Sequence, residues 1–234
     1  MLALELKDVA MHFAVAKNHE GGEHKVFAGL SLQINQGEKV GLVGRNGVGK
    51  STLLRIIAGI YPPHAGSIWR NPNLSIALLS LGLGFKNDLT GRENAYLAAM
   101  LQGLGRRVAK ARLDEIGDFT ELGDYYDEPV KSYSSGMRAR LGFATGLLLD
   151  TDILLLDEIL AVGDQVFRAK ASKALKEKVS SDRTIIMVHH AQPAIRETCS
   201  RVVWLHDGHV RMDGDVNDVL SAYAADSQRE SGKY

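Results

Sequence analysis

The chain has 234 residues, 45% of them hydrophobic, and its 28 Lys and Arg are balanced by 28 Asp and Glu. That size suits one compact domain with an inserted subdomain, and the charge balance argues against a dedicated nucleic-acid binder, which shows a basic excess. A single cysteine, Cys199, excludes an intrachain disulfide and fits a reducing, cytosolic setting. It stands beside an apolar strand and reads as a buried structural thiol. No apolar run reaches the ~18 residues of a membrane span. The N-terminus Met1-Leu2-Ala3-Leu4-Glu5 lacks the basic start and apolar core of a signal peptide. Any membrane-embedded part is therefore expected from another chain.

Along the chain, Leu4 to Val9 alternates like an edge strand, Lys17 to Lys25 is polar and turn-rich, and Val26 to Ile34 reads as a returning strand. Phe13, at the end of the first strand, is a candidate platform for a stacked base; a core aromatic is the alternative. Lys39 to Val43 reads as a buried strand and Thr52 to Ala58 as a helix. Between them Gly44-Arg45-Asn46-Gly47-Val48-Gly49-Lys50-Ser51 fits G-x-x-x-x-G-K-[ST], the P-loop. Successive backbone N–H groups in such a loop cradle phosphates at a helix N-terminus. Lys50 is expected to neutralise β- and γ-phosphate oxygens. Ser51 is expected to offer its hydroxyl to Mg²⁺, and Thr52 follows in the same helix turn.

Tyr61-Pro62-Pro63-His64-Ala65-Gly66 stops that helix, and Ser67 to Trp69 and Leu74 to Leu79 read as strands. From Thr90 the pattern turns helical as far as Leu149. Thr90-Gly91-Arg92-Glu93 is a capping box, and Leu97, Met100, Leu101 and Leu104 recur at helical spacing. Strand character returns at Ile153 to Leu156, Thr184 to Val188 and Arg201 to Leu205. Short apolar strands separated by helices predict a mostly parallel sheet buried on both faces. From Ser227 the chain is polar and expected to fray.

A second candidate site ends the strand Ile153-Leu154-Leu155-Leu156-Asp157-Glu158. Asp157 at the end of an apolar strand suits a Mg²⁺ holder, directly or through water. Glu158 is the carboxylate suited to polarise a water for in-line attack on a γ-phosphate. A third is Tyr133-Ser134-Ser135-Gly136-Met137-Arg138-Ala139-Arg140, a serine-rich helix start that alone means only a cap. Lying between a P-loop and an Asp-Glu strand end, it resembles the signature motif, usually L-S-G-G-Q, of ATP-binding-cassette (ABC) ATPases. Ser134 and Gly136 match that form; Ser135 and Met137 depart from it.

The resemblance spans about Leu4 to Leu220. It implies an α/β fold: a RecA-like P-loop NTPase core with an antiparallel β edge and a helical subdomain inserted at about 86–149. By the same resemblance, Ala161-Val162-Gly163-Asp164 is similar to the D-loop, with Asp164 at the nucleotide. His190 matches the switch histidine, with His189 its adjacent rival. The family's usual glutamine at the junction into the helical subdomain is missing, since the chain reads Ala77-Leu78-Leu79-Ser80-Leu81-Gly82-Leu83-Gly84-Phe85. Ser80, backbone or solvent would replace it.

Within the family, Leu81 to Phe85, Leu89-Thr90-Gly91-Arg92-Glu93-Asn94 and Tyr133 to Leu141 look like the ATPase subunits of bacterial surface-polysaccharide exporters. O-antigen and teichoic-acid members are nearer than capsule members. The resemblance implies ATP and Mg²⁺ as cofactors, and a head-to-tail homodimer holding two ATP between P-loop and signature. It also implies a separate permease at the cytoplasmic membrane, a lipid-linked polysaccharide as cargo, and no nucleic acid. Phe85, Tyr96, Leu97 and Met100 are candidates for a groove that takes the permease, with core packing as the alternative. The extra C-terminal carbohydrate-binding domain of some O-antigen members is not expected here. An importer ATPase would share every catalytic residue. A DNA-repair ABC protein needs heptad insertions, a ribosome-acting one carries two cassettes, and a P-loop kinase lacks the signature.

Overall fold

The computed structural model describes residues 1–14, 22–79, 84–102, 104–157, 163–189 and 191–231. In chain order the elements are β1 (Leu2–Ala14), β2 (Glu23–Asn35), β3 (Lys39–Val43), α1 (Lys50–Ile57), β4 (Ala65–Arg70), β5 (Ile76–Leu79), α2 (Gly91–Leu101) and α3 (Arg106–Thr120). They continue with α4 (Ser135–Leu148), β6 (Ile153–Asp157), α5 (Gln165–Val179), β7 (Thr184–Val188), α6 (Gln192–Thr198), β8 (Arg201–His206), β9 (His209–Asp215) and α7 (Val216–Ser231). The chain packs as two compact units, Met1–Leu74 with Arg183–Tyr234, and Ser75–Asp182.

In the first unit β3 runs parallel to β7 on one side and β8 on the other, and β9 closes antiparallel on β8. Every residue of β7 is buried, as are four of the five in β3. This is the continuous apolar pattern of a strand covered on both faces. A second, antiparallel sheet has the order β2-β1-β4. Its strands alternate, because only one face packs inward. Arg70 of β4 donates to the carbonyls of Ile56 and Ile57, satisfying the free end of α1. Helix α7 runs through Ser227 to Ser231; the polar stretch expected to fray continues the helix instead.

In the second unit β5 and β6 pair in parallel. The helical core is made of Ala95, Ala99, Ala109, Ile116, Leu122, Tyr126, Val130, Tyr133, Leu141, Ala144 and Leu149. This unit is wider than the 86–149 subdomain expected from sequence, because β5, β6 and α5 pack with the helices. The capping box at Thr90 forms in full: its hydroxyl accepts from Glu93 N–H, and the Glu93 carboxylate accepts from Thr90 N–H.

Helix α2 buries its small residues. The large residues Leu97 and Leu101 are 39% and 88% exposed, whereas Gly91, Asn94, Ala95 and Ala99 are buried. Small residues let neighbouring backbones approach closely. A Cβ at Gly91 would lie 2.9 Å from the Tyr126 carbonyl and 2.3 Å from the Tyr133 hydroxyl. Buried Asn94 donates to the carbonyls of Lys86, Leu89 and Thr90 and accepts from Lys86 N–H, which closes the 86–90 loop onto the helix.

Cys199 is buried at 5% exposure, and burial pushes its thiol from the ordinary 9.0 up to about 12, against a smaller opposing pull from Lys39. A raised folded-state value contributes stability that is complete below the unfolded pKa and lost as pH rises. Between pH 9 and 10 the native chain should lose about 1 kcal/mol that a Cys199→Ala variant keeps. Urea titrations of both chains at the two pH values check this; equal slopes would contradict it.

Candidate nucleotide-binding site

The P-loop residues lie in the first unit, where β3 feeds Gly44 to Ser51 into α1. Helix α1 begins at Lys50 with Gly49 as its N-cap, no side-chain cap and no acidic residue in its first turn. The loop stays open to an anion at the positive end of the helix dipole. Arg45, Asn46 and Gly47 are exposed, and Val48, Gly49, Lys50, Ser51 and Thr52 are half-buried. The Lys50 ammonium donates to the carbonyls of Gly44 at 2.7 Å and Arg45 at 3.0 Å, so the cation is already held at the loop.

Gly49 is required for two reasons. Its φ of 103° is left-handed, and a Cβ there would lie 2.4 Å from Val26 Cγ1 and 2.8 Å from Phe27 Cζ of β2. Phe13 is 38% exposed and sits edge-on to Tyr61, their ring centroids 5.9 Å apart. Tyr61 was not singled out from the sequence; the loop signal Tyr-Pro-Pro concealed an aromatic neighbour.

A separate set of candidate residues lies in the second unit. Asp157 ends β6 and is half-buried after four buried apolar residues. Ser134 is the N-cap of α4, and its hydroxyl oxygen accepts from Met137 N–H at 3.2 Å. The hydroxyl hydrogen remains a donor. Ser134 and Ser135 are exposed, with Gly136 and Met137 half-buried. Buried Tyr133 anchors the start of the helix by donating to the Tyr125 carbonyl. A Cβ at Gly136 would meet nothing closer than Ser134 Oγ at 3.9 Å, so nothing inside the chain requires glycine there. A cleft of about 860 Å³ is lined by Ser134 through Arg140 together with Gly163 and Asp164.

Asp164 has partners within its own unit. It caps α5, accepting from Phe167 N–H at 2.9 Å, and its other oxygen accepts from Arg140. The Phe167 backbone hydrogen bond is the main cause that holds its carboxyl below the usual carboxylate range; burial opposes it, and the Arg140 charge adds to the lowering. Arg140, Phe167 and Glu121 were not singled out as functional from the sequence. Arg140 stood inside the quoted motif, but its partner lies 24 residues on.

Ser80, Leu81, Gly82, Leu83, Glu158, Ala161, Val162 and His190 lie outside the described residues. His189 is described: its Nδ1 accepts from Ala191 N–H at 2.9 Å, which leaves Nε2 as its proton-bearing nitrogen when neutral. Of the groove candidates, Phe85, Tyr96 and Met100 pack partly buried against the helical core, and only Leu97 is exposed.

Comparison with known proteins agrees with this arrangement. Residues 27–161 match the family model described as ABC transporter. The chain is 40% identical over 222 residues to an O-antigen export system ATP-binding protein of Klebsiella pneumoniae, covering 93% of this chain and 89% of that one. It is 44% identical over 195 residues to an O-antigen export system ATP-binding protein of Myxococcus xanthus, and 42% identical over 197 residues to a teichoic acids export ATP-binding protein of Enterococcus faecalis. These alignments cover 83% and 84% of this chain but 44% of either relative, so the chain spans less than half the length of those two. Among solved structures, an ATP-binding subunit of an ABC transporter superposes with a TM-score of 0.72 at 24% identity, covering 95% of this chain and 93% of that one. A dimeric ATP-binding cassette in a post-hydrolysis state, bound to ADP and Pi, gives 0.70 at 22% identity, covering 91% and 98%. The chain belongs to the ABC transporter family and has the α/β fold of its ATP-binding cassettes.

Replacing Gly49 with Ala forces a side chain into β2 from a left-handed backbone. Gly49→Ala should lower stability by about 1–3 kcal/mol and weaken nucleotide binding together. Thermal melts with and without nucleotide measure both; an unchanged melt would show that the loop relaxes freely.

Proposed function

We propose that the chain is the ATP-hydrolysing subunit of a transporter that exports a lipid-linked surface polysaccharide, O-antigen-type, across the cytoplasmic membrane. The observation that carries this reading is the match to the Klebsiella O-antigen export protein over most of both chains. A P-loop with an uncapped helix and a poised lysine agrees with it. Among the described residues no helix is long and apolar enough to cross a membrane, so the export reading needs a separate permease. Exposed Leu97 and Leu101 on α2 are apolar surface that such a partner would cover.

In this reading the loop N–H groups and Lys50 bind the phosphates, and Phe13 offers a ring to the base. Ser51 and Asp157 supply hard oxygen donors that suit Mg²⁺. Among the described residues no three His, Cys, Asp or Glu side chains form a metal cluster, so phosphate oxygens and water would complete the shell. Bound there, the ion would neutralise charge on the β- and γ-phosphates. Glu158 orients and deprotonates the attacking water, whose oxygen bonds the γ-phosphorus as the bond to the ADP oxygen breaks. His190 donates to the γ-phosphate. Ser134 and the N-terminus of α4 face the nucleotide of a second copy, and closure of the homodimer around two ATP is the two-state element that drives the permease.

Gly136 gives a clean test of the dimer. Gly136→Asp has room within its own chain but puts a carboxylate where a partner's phosphate has to come. Gly136→Asp and Lys50→Ala should each lower ATP turnover about a hundredfold or more. Mixing them should restore a clear fraction, because one of the two sites in a mixed dimer is intact. No recovery on mixing would count against the head-to-tail arrangement.

The export assignment is tested in the source cell. Glu158→Gln should lower turnover by at least about a hundredfold and leave lipid-linked polymer inside the cell while the surface loses it. A normal surface coat with the variant expressed as the sole copy would overturn polysaccharide export and leave another ABC transporter.

A further inference from the structure

The Asp164 side chain is 61% exposed, and each of its carboxylate oxygens has one partner inside its own unit. One oxygen caps α5 through Phe167 N–H and the other takes the Arg140 guanidinium, on the helix that Ser134 begins. Arg140 is itself held on three sides. Its side chain is 19% exposed, it lies 3.8 Å from the Glu121 carboxylate, and its guanidinium carbon stacks 4.8 Å from the Phe167 ring centroid. Phe167 is fully buried, edge-on to Phe119 and Phe143 with centroids 5.8 and 6.2 Å away. Glu121 is fixed in turn by Lys170 at 2.8 Å, and that lysine also donates to the Phe119 carbonyl at 3.0 Å. Gly163, at φ 70°, brings the chain down onto this stack: a Cβ there would lie 3.1 Å from Phe167 and 3.3 Å from Arg140 Nε.

A carboxylate committed on both oxygens, beside an anionic nucleotide, is a poor ligand and a good latch. We propose that Arg140 is a positioning residue that latches Asp164 to helix α4, so that Ser134 to Met137 and the Gly163-Asp164 segment meet the partner protomer's nucleotide as one rigid piece. The planar guanidinium suits this because it pairs and stacks at once, which an ammonium cannot reproduce. The latch rests on the head-to-tail reading and assigns Asp164 to holding the site's shape instead of to the nucleotide.

The test uses the full chain carrying Glu158→Gln, so that ATP is retained. Two quantities are read: the ATP concentration giving half-maximal dimer by sedimentation, and the affinity of the dilute monomer for a fluorescent ATP analogue. Asp164→Asn keeps the helix cap, since asparagine caps as well as aspartate, and removes only the charge. Arg140→Gln and Asp164→Asn should each raise the half-maximal ATP concentration by about tenfold. The double variant should be no worse than the poorer single one, as for residues acting through one contact. Arg140→Lys should recover part of the loss, and monomer affinity should stay unchanged throughout.

Multiplying effects in the double variant, with Asp164→Asn the larger, would overturn the latch and make Asp164 a direct nucleotide contact. Unaltered dimerisation in Arg140→Gln would also overturn it, as would a loss of monomer affinity matching the loss of dimer, the mark of general unfolding. If the chain with Glu158→Gln alone forms no dimer with ATP, the head-to-tail reading itself fails, and the latch as proposed fails with it.

Discussion

Helix α1 begins without a side-chain cap, and the P-loop is built around that start. A helix leaves its first N–H groups without partners, and most helices recruit a side chain to cover them. Here α2 uses Thr90 with Glu93, α4 uses Ser134 and α5 uses Asp164, whereas α1 follows Gly49 with no side-chain cap. An end left open at the edge of a buried sheet is costly unless an anion completes it. The lysine at its first position is held by two loop carbonyls, which adds positive charge at the same place. The packing of β2 against Gly49 fixes the shape of the opening, so the antiparallel sheet is part of the site and not only an edge.

The second unit answers a different physical problem, which is to hold an exposed serine-rich helix start in place. The Ser134 oxygen caps α4 and its hydrogen is left to donate. The unit supports this exposed corner from below with Tyr133 tied to the Tyr125 carbonyl, small residues at the α2 contact, and the ring cluster of Phe119, Phe143 and Phe167. Open space at Gly136, where the chain's own packing would accept a side chain, is what a surface shaped for something outside the chain looks like. The unit's acidic groups here are balanced in pairs, Asp164 with Arg140 and Glu121 with Lys170.

The family relation and the geometry carry different parts of the conclusion. The match across the chain gives the class and, through the relatives' names, a proposal for the cargo. It does not say what each side chain does. The geometry gives, within each unit, what each side chain touches: Lys50 the carbonyls of its loop, Ser134 the Met137 N–H, and Asp164 the Phe167 N–H and Arg140.

What the sequence determined by itself was whatever depends on neighbours in the chain. The P-loop, the capping box at Thr90, the buried parallel strands and the Asp157 strand end are local patterns whose chemistry is set by residue type and spacing, and each was legible. Tertiary structure decided what depends on residues far apart. Which face of helix α2 packs inward was one such matter: the small residues Gly91, Ala95 and Ala99 are buried, and Leu97 and Leu101 are exposed. Helix α7 continued through a polar stretch that local composition marked as an end. Asp164 was read as a nucleotide contact from its motif, yet its carboxylate is engaged by Arg140, 24 residues earlier. A pair formed across that separation leaves no periodic trace in the sequence, and only the fold that brings α4 beside α5 makes it.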